Sequence, residues 1–298
     1  MRSPRPPARL HEYNGPTSRG ARWNSFRPRA GDIILSAPPK CGMTWMQTIC
    51  AMLIFNNAHI DVEPARLSPW LDSNFEPLVG MLKRLDAQTH RRYLKTHTPL
   101  DGLPYYPDVH YVAIFRHPLD AFHSMGWLNL QTTAGSVSGR IGIPEDIGTY
   151  IRACINAPFR ASAGEQLSVA SVAHHLQSFW QYRDLPNIHL VHYADLCRDL
   201  PGSIKAIGRM LEMHVTDAVA LEMAVTADFA SMRANAQQFV PVSQTGWRSP
   251  TDFFRKGGNG DWKDVLTEAD IAAYRVALIE AIPDPVAAAW LESGGADA

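Results

Sequence analysis

The stretch that most limits what this chain can become is Asp32–Ile49, DIILSAPPKCGMTWMQTI. A short apolar run ends in Pro38-Pro39, then Lys40, Gly42 and Thr44, and a helical pattern follows. Strand, tight loop and helix in that order commonly hold a phosphate or a similar anion. The usual spelling G-x-x-x-x-G-K-[ST] is absent, because Lys40 precedes Gly42 and no glycine opens the loop. The two prolines stiffen the chain and keep it out of the helix. Gly42 permits a close backbone approach. Thr44 suits a helix start, where the first N–H groups lack partners, and Lys40 adds a point charge. These features predict an anion cradle. The plainer alternative is a strand-to-helix turn with a solvated lysine.

Three further runs read as buried strands: HYVAIF (110–115), NIHLVHY (187–193) and, more weakly, RRYLKTH (91–97). Helical patterns lie at 44–55, 118–130, 169–183 and 201–213, with Pro118 suited to a first helical turn. This alternation predicts an α/β domain with a central parallel sheet flanked by helices. Such sheets bind ligands beyond the carboxyl ends of their strands. The loops to watch begin near Ala37, His97, Arg116 and Tyr193.

The chain of 298 residues is long enough for one large α/β domain. Its net charge of −1 gives no bulk attraction to nucleic acid or to an anionic membrane, so an anion site must be local. Cys41, Cys50, Cys154 and Cys197 form no metal knuckle, CxxC pair or disulfide scaffold. They read as reduced thiols in a cytoplasmic protein, with Cys41 placed where a helix start favours a thiolate. No apolar h-region and no run of 18 apolar residues occurs. Residues 1–25, rich in Pro, Arg and Gly, are expected as a flexible tail. Residues 131–168 carry dense Gly, Ser and Pro around a short helical piece, which suits a substrate lid.

The other strand ends supply charge. In LKTHTPL, Lys95 and His97 alternate along an extended segment and can point into one site, where a histidine suits a general base. In FRHPLDAFHS, Arg116 and Ser124 share a groove only if the chain turns between them. Late in the chain, DFFRKGGNGDWK places Arg255 and Lys256 before a run of glycines, a backbone-rich anion nest. Each of these residues also has an ordinary reading as a structural or surface group.

Taken in order, the motifs APPKCGMTW, KTHTP, RHPLDAFHS, HYADL, FASMRAN and RKGGNGDWK resemble those of the cytosolic sulfotransferases. These enzymes use the donor PAPS (3′-phosphoadenosine 5′-phosphosulfate) and release PAP. The resemblance spans residues 37–263 and implies a sulfotransferase domain over 26–298. It implies that Lys40 contacts the phosphosulfate, and that Cys41, Gly42, Met43 and Thr44 cradle the 5′-phosphate. Trp45 and Phe229 would flank the adenine, and Tyr193 would contact the base. Arg116, Ser124, Arg255, Lys256 and Gly257 would hold the 3′-phosphate. His97 would take the acceptor's proton, with Lys95 near the transferred group and no metal required. The chain departs from the family at Met43, Cys41 and Ala227. Its dimer motif keeps only Lys263 and Thr267, with Glu268 and Ala272 in place of Val and Glu, so a homodimer stays open.

Two other readings compete. A nucleotide kinase would need Mg²⁺ ligands and a G-K-[ST] loop. A non-catalytic nucleotide binder would not need Lys40, His97 and Arg116 together. The acceptor is expected to be a small hydroxyl compound: a phenol, an alcohol or a glycolipid. Trp70, Leu71, Phe75, Trp127 and Leu128 are candidates for an apolar wall around it.

Overall fold

The computed structural model describes residues 6–131, 146–160, 166–239 and 250–295. Four strands form one parallel sheet: β1 (Ile33–Ser36), β2 (Tyr93–Thr96), β3 (His110–Phe115) and β4 (Ile188–His192), in the order β2-β1-β3-β4. Ile33 pairs with Tyr93 on one side and His110 on the other, and Tyr111 pairs with Ile188. All four are strands that the apolar runs predict.

The described helices are α1 (Met43–Phe55), α2 (Pro64–Leu67), α3 (Leu78–Asp86), α4 (Pro118–Gln131), α5 (Ile147–Asn156), α6 (Val169–Trp180), α7 (Tyr193–Arg198), α8 (Leu200–Met210), α9 (Asp217–Ala227), α10 (Phe229–Ala234), α11 (Ala236–Phe239), α12 (Glu268–Ala281) and α13 (Pro285–Ser293).

Alternation along the strands sends successive side chains to opposite faces. Ile33, Leu35, Val112 and Ile114 face a core shared with Met46, Ile49 and Cys50 of α1, Ile204 and Ile207 of α8, and Met223 of α9. Ile34, Leu94, Tyr111, Ala113 and Phe115 face the opposite core with Phe122 of α4, Leu176 and Phe179 of α6, Tyr274 of α12 and Trp290 of α13. Both faces are therefore covered, which explains why the strands read as continuous apolar runs.

The expected flexible tail over 1–25 needs correction for its described part. Tyr13 and Trp23 are almost fully buried, and Gly20–Ser25 form a 3₁₀ turn. Tyr13 Oη donates to Asp101 at 2.9 Å, and Trp23 Nε1 donates to Asp72 at 3.0 Å. Short bridges join Asn14 to Arg19 and Ser18 to Ser73. Two long-range aromatic anchors thus outweigh a composition that suggests disorder. Of the expected lid, residues 132–145 and 161–165 lie outside the described residues, and α5 is the helical piece between them. Among the described residues, no helix is long and apolar enough to cross a membrane.

Replacing Trp23 by Ala should lower stability by about 3–5 kcal/mol, as for other buried aromatic truncations. Urea unfolding measures this directly, and a loss under about 1 kcal/mol would mean that the segment is only loosely attached.

Candidate active site

The anion loop emerges from β1. Lys40 and Gly42 both have left-handed backbones, with φ of 67° and 103°. For a lysine that conformation is strained, and such strain collects at functional sites. A Cβ at Gly42 would come within 3.0 Å of the Tyr193 ring, so the close approach requires glycine. α5, α6, α8, α9 and α12 each begin under a capping Asp, Ser or Thr side chain. α1 begins at Gly42 with no side-chain cap, which leaves its first-turn N–H groups for a ligand.

Lys40 is half-buried, with its ammonium 4.1 Å from the centre of the Phe253 ring. Burial first, then the charges of Arg116 and Lys95, lower its pKa to about 7. Lys95 lies over Trp70, 4.7 Å from the ring centre. The Trp70 and His97 rings meet edge to face, with ring centres 5.0 Å apart at 87°.

His97 Nδ1 lies 2.7 Å from the carbonyl oxygen of Ala37. A carbonyl only accepts, so Nδ1 carries the hydrogen and the lone pair of the neutral ring is on Nε2. Burial, with Lys95 and Lys40 adding to it, pushes the His97 pKa down to about 3. His97 is therefore neutral and competent as a base throughout the physiological range.

The chain turns at Arg116–His117, between β3 and α4, as a shared groove for Arg116 and Ser124 requires. Arg116 is 9% exposed and lies 4.2 Å above the Tyr193 ring. Its guanidinium donates to the carbonyl of Gly258 at 2.7 Å and to Asn259 Oδ1 at 3.3 Å. Tyr193 Oη donates to the carbonyl of Gly257 at 3.3 Å. Arg255 pairs with Asp261, which Lys256 also reaches at 3.5 Å. The Gly260 N–H donates to Asp120 at 2.7 Å, tying the glycine run to α4. Ser124 is half-buried on α4. The structure thus assembles Lys40, Lys95, His97 and Arg116 from three strand ends, and anchors the Arg255–Gly260 loop on the third.

Gly257 has φ of 71°, and a Cβ there would lie 2.2 Å from the Phe229 ring. Phe229 and Trp45 both pack on the small cluster of Met232, Ala236, Phe239 and Phe254. Trp45 Nε1 donates to the carbonyl of Ala227 at 2.8 Å, a backbone contact that does not depend on the side chain at 227. Met43 is buried in the core beneath α1. Cys41 is buried, and burial pushes its thiol up to about 12, so the thiolate suggested by its place near a helix start is disfavoured. Leu71 and Leu128 are core residues rather than wall residues, whereas Trp70, Phe75 and Trp127 remain partly accessible. Sequence reasoning missed the supporting groups Asp120, Asp261, Asn259 and Phe253. Their partners lie far along the chain or depend on loop geometry. Among the described residues, no group of three or more His, Cys, Asp or Glu side chains could hold a metal ion.

This arrangement suits a ligand with several negative charges and a base opposite one of them. The profile of the sulfotransferase domain matches residues 30–281, and the chain belongs to that family. It is a sulfotransferase. It is 34% identical to a glycolipid sulfotransferase of Mycobacterium bovis over 92% of this chain and 91% of that protein. It is 23% identical to human sulfotransferase 1E1 over 82% of this chain and 81% of that protein. Mouse sulfotransferase SULT7A1, solved with PAP, superposes with a TM-score of 0.72 at 19% identity, covering 91% of each chain. Retinol dehydratase, solved with androsterone and PAP, gives a TM-score of 0.66 at 18% identity, covering 89% of this chain and 84% of that one.

A lysine with a pKa of about 7 is mostly neutral at pH 8, and a bound polyanion favours its charged form. PAP binding at pH 8 should therefore take up most of one proton, and affinity should fall as pH rises above 7. Calorimetry in buffers of different ionisation enthalpy measures the uptake, which Lys40→Met should remove. Equal uptake in the variant would place the titrating group elsewhere.

Proposed function

We propose that this sulfotransferase takes PAPS as donor and sulfates a hydroxyl of a small, lipid-linked acceptor, a glycolipid being the favoured class. The observation that carries the reading is the His97 imidazole. Its Nδ1–H is fixed on Ala37, its free Nε2 is neutral, and Lys40 and Lys95 are its charged neighbours. Bound PAPS would supply a sulfuryl group on a phosphate leaving group, which the cation-rich set fits.

In this reading, Nε2 of His97 accepts the hydroxyl proton as the acceptor oxygen forms its bond to sulfur. The sulfur–oxygen bond to the 5′-phosphate breaks on the opposite side. The Lys40 ammonium and the uncapped N–H groups of α1 face the charge that develops on the leaving oxygen, as preorganised donors do. Cys41, Gly42, Met43 and Thr44 contribute backbone to this cradle. Arg116, Ser124, Arg255, Lys256 and Gly257 hold the 3′-phosphate. Trp45, Phe229 and Tyr193 enclose the adenine. Lys95, held over Trp70, faces the transferred group.

The acceptor class rests on two supports. Trp70 and Phe75 form an accessible aromatic pair with ring centres 5.7 Å apart, next to His97. Stacked against a sugar or an acyl chain, such a pair offers area at low entropy cost. The second support is the similarity to the mycobacterial glycolipid sulfotransferase.

With radiolabelled PAPS as donor, an alkyl glucoside should be sulfated more readily than 4-nitrophenol. His97→Ala should lower the rate at least about 100-fold, the span of a positioned base, while the Kd for PAP stays within about twofold. Because His97 is neutral well below its ordinary value of 6.5, the acid limb of kcat/KM should fall below pH 6.5. Transfer that survives in His97→Ala would remove the base from this residue.

A further inference from the structure

Asp72 lies outside the donor motifs, yet it is the most unusual buried acid near the site. It is 1% exposed. Its Oδ2 accepts three hydrogen bonds: from Thr96 Oγ1 at 2.7 Å, Thr98 Oγ1 at 2.8 Å and Trp23 Nε1 at 3.0 Å. Its Oδ1 is buried with no partner. Burial raises its pKa, and an acid held inside a protein with one oxygen unsatisfied is costly. Stability alone therefore does not account for it, and an orphan of this kind calls for an explanation.

Its donors supply one. Thr96 and Thr98 are the two neighbours of His97 in the chain. The clamp is closed by Thr98 N–H donating to Thr96 Oγ1 at 3.0 Å, and by Ser36 Oγ donating to the Thr98 carbonyl at 2.7 Å. Ser36 has then used its only hydrogen, so it accepts from His175 Nε2, 2.8 Å away. The backbone on both sides of His97 is thus held by side chains from β1, α6 and the Ser68–Ser73 segment. That segment is itself fixed to β2, where the Lys95 N–H donates to the Pro69 carbonyl at 3.0 Å, and it carries Trp70 against His97.

We propose that Asp72 is a positioning residue for sulfuryl transfer: by clamping Thr96 and Thr98 it fixes the His97 imidazole on the Ala37 carbonyl and so keeps the lone pair on Nε2. This rests on the assignment of His97 as the base. Without the clamp, the turn at 96–98 loosens, the Nδ1–H contact is shared with the other tautomer, and the base points at the acceptor only part of the time. A misplacement of about 1 Å can cost about 100-fold in rate.

The test uses the full chain with PAP bound and ¹⁵N-labelled histidine, with His97→Ala to assign the signal. Long-range proton–nitrogen spectra report the tautomer. The wild type should show Nδ1–H only. Asp72→Ala and Thr98→Val should show a mixture of tautomers, with the Kd for PAP within twofold of wild type. With any acceptor that the wild type sulfates, kcat in both should fall tenfold or more while KM for PAPS stays within twofold. Trp23→Phe removes the third donor, which does not flank His97 in the chain, and should lower stability but keep the tautomer and kcat. Should Asp72→Ala fail to fold, Thr98→Val alone decides. A pure Nδ1–H spectrum, or wild-type kcat, in the folded variants overturns the proposal. Transfer retained by His97→Ala would instead overturn the assignment of the base, a separate result that the tautomer spectra do not affect.

Discussion

Crowded positive charge at one edge of the sheet is the constraint on which the rest of the structure depends. Lys40, Lys95 and Arg116 come from three strand ends, and after burial the charges of Arg116 and Lys95 lower the tendency of Lys40 to hold a proton. Arg255 feels the same repulsion from Arg116. Like charges gathered in a partly buried place oppose folding unless something offsets them. Aromatic faces serve three of them: Phe253 under Lys40, Trp70 under Lys95 and Tyr193 under Arg116. Carbonyls of the glycine run and the carboxylates of Asp120 and Asp261 serve the loop. The remainder is an attraction for anions, and that is the basis proposed for donor binding.

In the proposed mechanism the same charge sets the chemistry. Burial, with the lysines beside it adding to the effect, holds His97 neutral, which would make it a base but a weak one. A bound polyanion cancels part of that field and raises the basicity of Nε2 when the acceptor is in place. Lys40 responds in the opposite sense to its present state, gaining a proton as the ligand arrives. In that mechanism donor binding and the protonation of Lys40 and His97 are linked through one electrostatic field.

Much of this was legible in the sequence. The four apolar runs and the helices between them reappear within a few residues, because buried parallel strands have few charges and clear ends. The cluster of Lys40, Lys95, His97 and Arg116 followed from one rule about strand ends. What was not legible depends on distant partners. Tyr13 and Trp23 sit in a stretch with the composition of a loose tail, but they bond to Asp101 and Asp72, 88 and 49 residues away. Asp72 itself carries no motif, and its importance shows only when Thr96, Thr98 and Trp23 converge on one oxygen. Cys41 was misleading for a similar reason, since a place near a helix start suggests reactivity while burial removes it.

The most direct measurement of the central claim is thermal unfolding with PAP, 5′-AMP and Mg-ATP in turn. A ligand at about 100 times its Kd adds roughly 2.7 kcal/mol to stability. The account predicts a rise of several degrees with PAP and much less with 5′-AMP, which lacks the 3′-phosphate that Arg116, Arg255 and Lys256 would hold. Equal shifts with PAP and 5′-AMP, or a shift with Mg-ATP alone, would contradict it.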